Sequence, residues 1–401
     1  MISGNIHLSS DLRRLAFVRL LVWLTTPRTR MNRVVLVKKY RKVIEEHRVE
    51  YDWNKDPKSE REVSGIGMGS SKRRAERDVI AFNHLTLAQD LQFLRKGETR
   101  WTKNGYILAS LSSNEEGKPF FYDEVKLEEE LRREGFVATL GKGEQLIFST
   151  ALIELDVDRI LPLLSTLEKN VPTTGLADRF LSSVDKWLEK KIEFEPNSFK
   201  RSRIRLERRS IKEKISRLEV ERTQPGSTLR AKRKEPSVKI YCHEQTSPRL
   251  HFLQDLSYIE KNKRGFYLSE KGFQIKKALI NPLYEELNVK NVDTLVLRDE
   301  TSLLETIVNL STEGFPPLDF EKFKTLFSKI ARFYTRSGVI LLSYFNTFRA
   351  TASKATESSV ALPLKLFDDY MSRLAELKLV TVSTSGRGTK YIKVYRRLKP
   401  S

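Results

Sequence analysis

The sequence predicts a mainly α-helical chain with small β-hairpins, an α+β fold, and three observations predict it. A helix–strand–Gly turn–strand pattern closes the chain. A helix–turn–strand–helix pattern occurs twice inside it. A strongly basic segment lies between the two internal copies. The 401 residues are enough for two to four domains.

Residues 1–30 hold the longest apolar run, "LAFVRLLVWL" at 15–24, interrupted by Arg19. It is too short to span a membrane. It is followed by "TTPRTR" rather than by small residues at a cleavage site, so it does not read as a signal peptide. Two readings stand: a first amphipathic helix, or an upstream extension of the frame with Met31 opening the protein. The second is preferred.

Residues 31–149 carry the first copy of the internal repeat. "LAQDLQFLRK" at 87–96 aligns without a gap to "FLQDLSYIEK" at 252–261, and Thr102 and Gly105 then fall against Ser269 and Gly272. The second copy has two more residues between the shared Lys and the hydroxyl residue. Each copy reads as an amphipathic helix, a polar turn and a short strand (Trp101, or Phe266-Tyr267-Leu268). A new helix follows, capped by the hydroxyl and packed closely at the glycine. Within 123–149 a charged helix is expected to end at Gly135, with strands at Phe136–Thr139 and Leu146–Phe148 around the turn Gly141-Lys142-Gly143. "GIGMGSSKRR" at 65–74 reads as a hinge, because no strand precedes it as a phosphate loop requires.

Residues 150–199 read as helices with apolar faces at Leu161, Leu164, Leu167 and at Phe180, Val184, Leu188. Residues 200–239 hold 15 basic and 5 acidic residues. Ile204, Ile211, Ile215 and Leu218 form a thin apolar seam, so within this basic linker part reads as a helix or a short coiled coil, ended by Pro225-Gly226. It is either a solvated linker or an electrostatic tether on phosphates. Residues 240–285 carry the second repeat copy. Residues 286–401 are mostly helical, through "SLLETIVNL", "FEKFKTLFSKIARFYTR" and "VILLSYFNTF". They end in a helix with Leu366, Tyr370, Leu374 and Leu377 at helical spacing, then strand, turn and strand. The turn Ser385-Gly386-Arg387-Gly388 suits positive φ. "GRGTKYIKVYRRLK" at 386–399 holds six Lys or Arg and no acid. Val380, Val382, Ile392 and Val394 are its apolar positions.

Helix, strand, Gly turn, strand is the second half of a winged helix-turn-helix. The chain therefore reads as tandem winged helix-turn-helix domains joined by a basic linker, at 31–149 and 240–285, with a third at the C-terminus. In such a unit a helix enters the major groove and the hairpin, the wing, reaches the adjacent backbone.

Charge agrees with a polyanionic partner. Against 73 Lys or Arg stand 52 Asp or Glu, a formal net charge of +21. The candidate DNA-binding residues are Arg100 and Lys103 in the first copy and Lys261, Lys263, Arg264 and Lys271 in the second. In the C-terminal unit they are Lys365, Arg373, Arg387, Lys390, Lys393, Arg396 and Arg397. Lys365 and Arg373 belong in or beside the helix that reads bases, Arg387 and Lys390 on the wing. Cys242, the one cysteine, excludes an internal disulfide and a multi-Cys zinc site, and the five histidines form no paired ligand motif. Phosphate loop, nucleophile elbow and H-E-x-x-H motif are absent. The pairs Asp156/Asp158 and Asp368/Asp369 read as surface acids. The expectation is a binding protein, not an enzyme, with no cofactor and no metal.

The segments "QDLSYIEKNKRGFYLSEKG" and "RLAELKLVTVSTSGRGTKYIKVY" and the tandem architecture resemble the archaeal winged-helix replication initiators, relatives of the eukaryotic licensing factor. The resemblance implies double-stranded DNA at replication origins and contact with other replication initiators or helicase-loading machinery. It also implies a cytoplasmic, nucleoid-associated protein with no membrane partner, with a homodimer open beside the monomer. A transcription regulator, a plasmid or viral DNA-binding protein and a nucleic-acid-processing enzyme are the alternatives.

Overall fold

The computed structural model describes residues 14–27, 30–47, 71–112, 129, 139–173, 175–223, 237–279, 300–336, 341–386 and 389–395. Arg387, Arg396, Arg397, Pro225-Gly226 and Phe136–Ala138 lie outside them. Among the described residues the elements are α1 (Ala16–Trp23), α2 (Arg33–His47), α3 (Ser71–Asp90), α4 (Lys103–Leu111), α5 (Lys142–Ser165), α6 (Leu176–Phe194), α7 (Ser198–Thr223) and α8 (Val238–Asp255). They continue with β1 (Ile259–Asn262), β2 (Gly265–Leu268), α9 (Glu270–Leu279), α10 (Glu300–Ser311), α11 (Phe320–Arg336), β3 (Leu342–Ser343), α12 (Tyr344–Glu357), α13 (Leu364–Glu376), β4 (Val380–Thr384) and β5 (Lys390–Val394). The protein is mainly helical with small antiparallel sheets.

The chain forms two compact units. One takes residues 14–151 together with 304–401, the other 152–303. The sequence reading separates 31–149 from 286–401, yet both fall in one unit. Segments 150–199, 200–239 and 240–285, read as helices, linker and domain, together make the other.

In the first unit α1 is buried at all eight positions. It is a core helix, neither amphipathic nor dispensable to the packing. Arg19, which interrupts the apolar run, is buried with it and donates to Glu144 Oε2 at 2.7 Å and to Thr139 O at 3.1 Å. The Trp101 indole donates to Thr25 Oγ1 at 2.9 Å and stacks on Phe333 at 6.1 Å. These contacts tie α1 and the first repeat copy to α11. Phe367 lies 5.7, 5.2 and 5.3 Å from the rings of Phe323, Tyr344 and Phe348. The core face of α13 is accordingly Phe367, Met371 and Leu374. Of the expected stripe Leu366, Tyr370, Leu374 and Leu377 only Leu374 is buried, and Leu377, past the last helical turn, is exposed. In the sheet β3-β5-β4, Val380 pairs with Val394 and Val382 with Ile392. Of these four only Val380 and Ile392 are buried, Val382 being exposed and Val394 half-buried. In "VILLSYFNTF", expected to be helical, Leu342–Ser343 is strand, and Ser343 caps α12.

The expected strands around Gly141-Lys142-Gly143 are not found over 142–149. Those residues open α5. Leu146, Ile147 and Phe148 are consecutive buried helical positions, and so wide a buried face mimics a short apolar strand. Gly143 is needed for proximity rather than for a turn: a Cβ there would lie 2.2 Å from Ser353 O.

In the second unit Asp156 marks a non-helical kink in α5. Pro162 cannot donate to the carbonyl of Asp158, four residues earlier, and Arg159 Nη1 donates to that oxygen instead at 3.0 Å. Over Ser198–Thr223 the basic segment is a helix, the helical alternative of the sequence reading rather than a linker. Asn197 Oδ1 caps it by accepting from Lys200 N at 3.0 Å. Ile204, Ile211 and Leu218 are its buried seam, and the helix packs on α6, where Phe180, Val184 and Leu188 are also buried. Ile215 is only half-buried.

Candidate nucleic-acid interface

Three hairpins leave the body of the protein by one backbone device. At the end of α8 the amide of Leu256 donates to Phe252 O at 3.1 Å. Ser257 then turns left-handed, with φ 61°, and Tyr258 N reaches back to Leu253 O at 2.9 Å. This closes a helix C-terminus by satisfying its last carbonyls. The strand begins at Ile259, which pairs with Leu268. The return is sealed by Ser269 N donating to Tyr258 O at 3.1 Å. Ser269 Oγ donates to Ser257 O at 2.6 Å and accepts from Gly272 N at 3.0 Å. The new helix packs so closely that a Cβ on Gly272 would lie 1.8 Å from Tyr258 O.

The first repeat copy has the same parts. Gln92 has φ 55°, Phe93 N donates to Ala88 O at 2.8 Å, Leu94 bridges Trp101, and Thr102 N donates to Phe93 O at 3.1 Å. Thr102 hydrogen-bonds through its hydroxyl to Gln92 O and caps α4, and a Cβ on Gly105 would lie 2.2 Å from Phe93 O. The C-terminal hairpin is a third copy, which the sequence alignment missed. Lys378 has φ 53°, Leu379 N donates to Leu374 O at 3.0 Å, Val380 pairs with Val394, and Tyr395 N donates to Leu379 O at 3.0 Å.

The elements before each hairpin also correspond. An extended segment lies beside each return strand and precedes a helix. Met31 exchanges two hydrogen bonds, 2.8 and 2.9 Å, with Thr99 Oγ1 ahead of α2. Glu168 O accepts from Leu268 N and Thr173 N donates to Phe266 O, both at 2.9 Å, ahead of α6. Leu342 pairs with Ile392 ahead of α12. The order helix, extended segment, helix, helix, hairpin therefore recurs three times, with α7 inserted in the middle copy.

The candidate residues distribute unevenly over these parts. Lys261, Lys263 and Arg264 are exposed at the middle hairpin, where Asn262 Oδ1 shapes the tip by accepting from Arg264 N at 2.8 Å and Gly265 N at 3.1 Å. Lys390 and Lys393 are exposed on β5 and approach the rings of Tyr344 and Tyr395 at 5.5 and 5.9 Å. Lys103 is exposed on the first turn of α4. Arg100 is half-buried and paired to Glu98 at 2.7 Å, while its neighbours Arg95 and Lys96, absent from the sequence-derived set, are exposed on the hairpin. Lys271 is half-buried with its ammonium 5.2 Å over the Tyr258 ring, and burial lowers its pKa to about 8.

The helices before the hairpins are poorer in free cations. The exposed positions of α13 include Lys365 and Arg373 but also Asp368, Asp369 and Glu376. Arg373 stacks on Phe320 at 3.9 Å and Asp368 accepts from the Tyr344 hydroxyl at 2.6 Å. In α8, Arg249 is buried in a two-bond pair with Asp156, at 2.6 and 2.9 Å, and its exposed positions include Ile240, His243 and Glu244. Asp156 and Asp158 are not surface acids: both are buried, Asp158 accepting from Trp187 Nε1 at 2.7 Å and Lys191 Nζ at 2.6 Å. Among the described residues no cluster of three or more His, Cys, Asp or Glu is placed to hold a metal. No helix among them is long and apolar enough to cross a membrane.

Compared with known proteins, the chain matches no family model, no curated protein and no solved structure.

Proposed function

We propose that this protein binds double-stranded DNA through three winged-helix modules, chiefly by contacts of their hairpins to phosphate. The observation that carries the reading is the recurrence of the left-handed helix end, hairpin and preceding extended segment, with exposed cations at each hairpin. In the C-terminal module the strand order β3-β5-β4 is that of a helix-turn-helix with a wing. Base reading by α13 is not favoured, because its exposed face carries three acids, Asp368, Asp369 and Glu376, against two bases, Lys365 and Arg373, and an acidic face is repelled by phosphate. Phosphate contacts position a protein without reading sequence.

Seven exposed hairpin cations are described: Arg95, Lys96, Lys261, Lys263, Arg264, Lys390 and Lys393. If each neutralises one phosphate, log K falls with log salt at a slope of about −6. Titration of a labelled duplex by the full chain between 50 and 200 mM salt is expected to show a loss of three to four orders of magnitude. Replacing Lys261, Lys263 and Arg264 by Gln is expected to reduce the slope by about 3. An affinity that does not change with salt overturns the reading. The initiator role that the sequence resemblance implies is a narrower proposal. A genome-wide map of bound sites separates it from transcription control, since origins, promoters or uniform coverage each select one process.

A further inference from the structure

We propose that the outer face of α7 is a second phosphate-binding surface, a rigid basic ridge that contacts the duplex apart from any hairpin. The inference rests on the DNA-binding reading and extends it to a helix that is an insertion in the middle module.

The helix carries ten Lys or Arg and four Glu. Two of its acids, Glu207 and Glu221, and its inner cation Arg208 are engaged in the fold, while Glu213 and Glu219 are exposed. Glu207 pairs with Arg159 at 2.5 Å, and Glu221 accepts from Ser237 Oγ and Val238 N at 2.7 and 3.0 Å, holding the start of α8. Arg208 bonds Asp185 and Glu189 on α6 at 2.9 and 2.5 Å. Arg205, Arg209 and Lys212, by contrast, are exposed and spaced four and three residues apart, so they share a face opposite the buried Ile204/Ile211/Leu218 seam. Arg205 and Lys212 have no acidic partner among the described residues. Arg209 has only Glu213, at 3.3 Å, in a pair where both side chains are more than half exposed, and such a pair is readily exchanged for a phosphate.

The row extends about 10 Å along the helix, at 1.5 Å per residue. That matches about three successive phosphates of one strand, at 3.4 Å of axis each. Packing on α6 fixes the backbone beneath the row, so the side chains meet the polyanion with little ordering of the main chain.

An anionic membrane is the competing polyanion, and two features disfavour it. An interfacial helix buries its apolar face in lipid, whereas the apolar seam of α7 is committed to the core. The exposed apolar residues Phe199, Leu206 and Val220 stand seven and fourteen apart, with Glu213 on the same line between the last two.

The test is the triple variant Arg205→Gln/Arg209→Gln/Lys212→Gln in the full chain, titrated with a labelled random duplex at several salt concentrations. Beside it run the hairpin variant Lys390→Gln/Lys393→Gln and vesicles of one-third phosphatidylserine. The ridge variant is expected to lower the salt slope by 2 to 3 and the hairpin variant by about 2, additively. Restoring the charges as Arg205→Lys/Arg209→Lys with native Lys212 should recover the slope, which a loss through misfolding would not. A ridge variant with wild-type slope beside a hairpin variant with a reduced one overturns the ridge and leaves the DNA-binding reading standing. Wild-type protein that shows no salt-dependent binding overturns both. Ridge-dependent binding to vesicles with unchanged DNA affinity assigns the ridge to lipid and also overturns the proposal.

Discussion

Replacing Gly272 with Ala isolates the closest approach in the repeated hairpin junction. The added Cβ would lie 1.8 Å from Tyr258 O and 2.7 Å from Tyr258 C, and real Cβ atoms essentially never come under 3.0 Å. Both neighbours are backbone, so no side chain can swing away. To restore 3.0 Å from 1.8 Å, α9 must withdraw from the hairpin by at least 1.2 Å. A displacement of that size breaks the bond from Ser269 N to Tyr258 O, now 3.1 Å, and the one from Ser269 Oγ to Ser257 O, now 2.6 Å. Each such bond contributes about 1 kcal/mol net. The strain of overpacking adds about 1–3 kcal/mol, for a loss of about 3–5 kcal/mol. Hydrogen exchange read by peptide is the suitable assay, because it reports each unit separately. Peptides from α8, β1, β2 and α9 should lose protection by that amount, while those of α11, α12 and α13 keep theirs. Gly97→Ala, at a positive φ of 74° with open space around it, should cost only the left-handed penalty of about 1–2 kcal/mol. Exchange in the Gly272→Ala protein within about 0.5 kcal/mol of wild type would refute the packing argument.

Three further outcomes follow from the same structure. Asp156→Asn removes the carboxylate charge from a pair buried to within 3% exposure on both sides and should destabilise the unit of residues 152–303 by about 3–5 kcal/mol. Denaturant unfolding checks this, and a loss below about 1 kcal/mol would mean that water reaches Arg249. Lys271 has a folded pKa lowered by burial to about 8 from 10.5, so between those values the unfolded chain binds more protons. Stability should rise as pH climbs from 8 to 10.5, with the penalty fully present below 8. Lys271→Met should therefore stabilise the protein at pH 7 by about 1–3 kcal/mol and flatten that rise, and melting curves at pH 7 and 10 that show a less stable variant at pH 7 would contradict it. Lys365→Gln with Arg373→Gln should leave the ratio of affinities for different duplexes within about twofold. A tenfold relaxation, the effect of a lost base contact of about 1–3 kcal/mol, would restore base reading by α13.

Much of the middle hairpin was legible in the sequence because its determinants are local. The Ser269-x-x-Gly272 cap, the basic turn and the Phe266-Tyr267-Leu268 strand sit within a dozen residues of one another. Three kinds of feature were not legible. The left-handed residues that end the three helices are Gln92, Ser257 and Lys378. None is a glycine, so the left-handed helix ends themselves give no composition signal. Helices buried over a wide face, α1 and the start of α5, lack the 3.6-residue alternation by which helices are recognised, so the first reads equally as an amphipathic helix or an extension and the second as strands. The partners of buried charges lie far off in sequence: Arg19 and Glu144, Asp156 and Arg249. Nothing local distinguishes these residues from surface charges.

Burial separates the basic residues that composition counts from those that a polyanion could meet. Arg19, Arg249 and Arg349 are cations by composition, yet each is buried. Arg349, for example, donates to Ile147 O at 2.9 Å and to Asn104 Oδ1 at 3.2 Å. Burying a charge is tolerated only with partners to satisfy it, so every such arginine spends its donors inside the fold and offers none to a phosphate. The positive charge that a polyanion can meet is what remains uncompensated outside, and in this protein it gathers on hairpins and on α7 rather than on α8 and α13. A hairpin tip held by two closed ends, or a helix packed along its length, presents cations at fixed spacing to a regular array of phosphates. It gives them no planar geometry against base edges. On the proposed DNA-binding reading, the arrangement is better suited to holding duplex of many sequences at several points than to choosing one. Several modest contacts, each weakened by salt, then act together through their common chain.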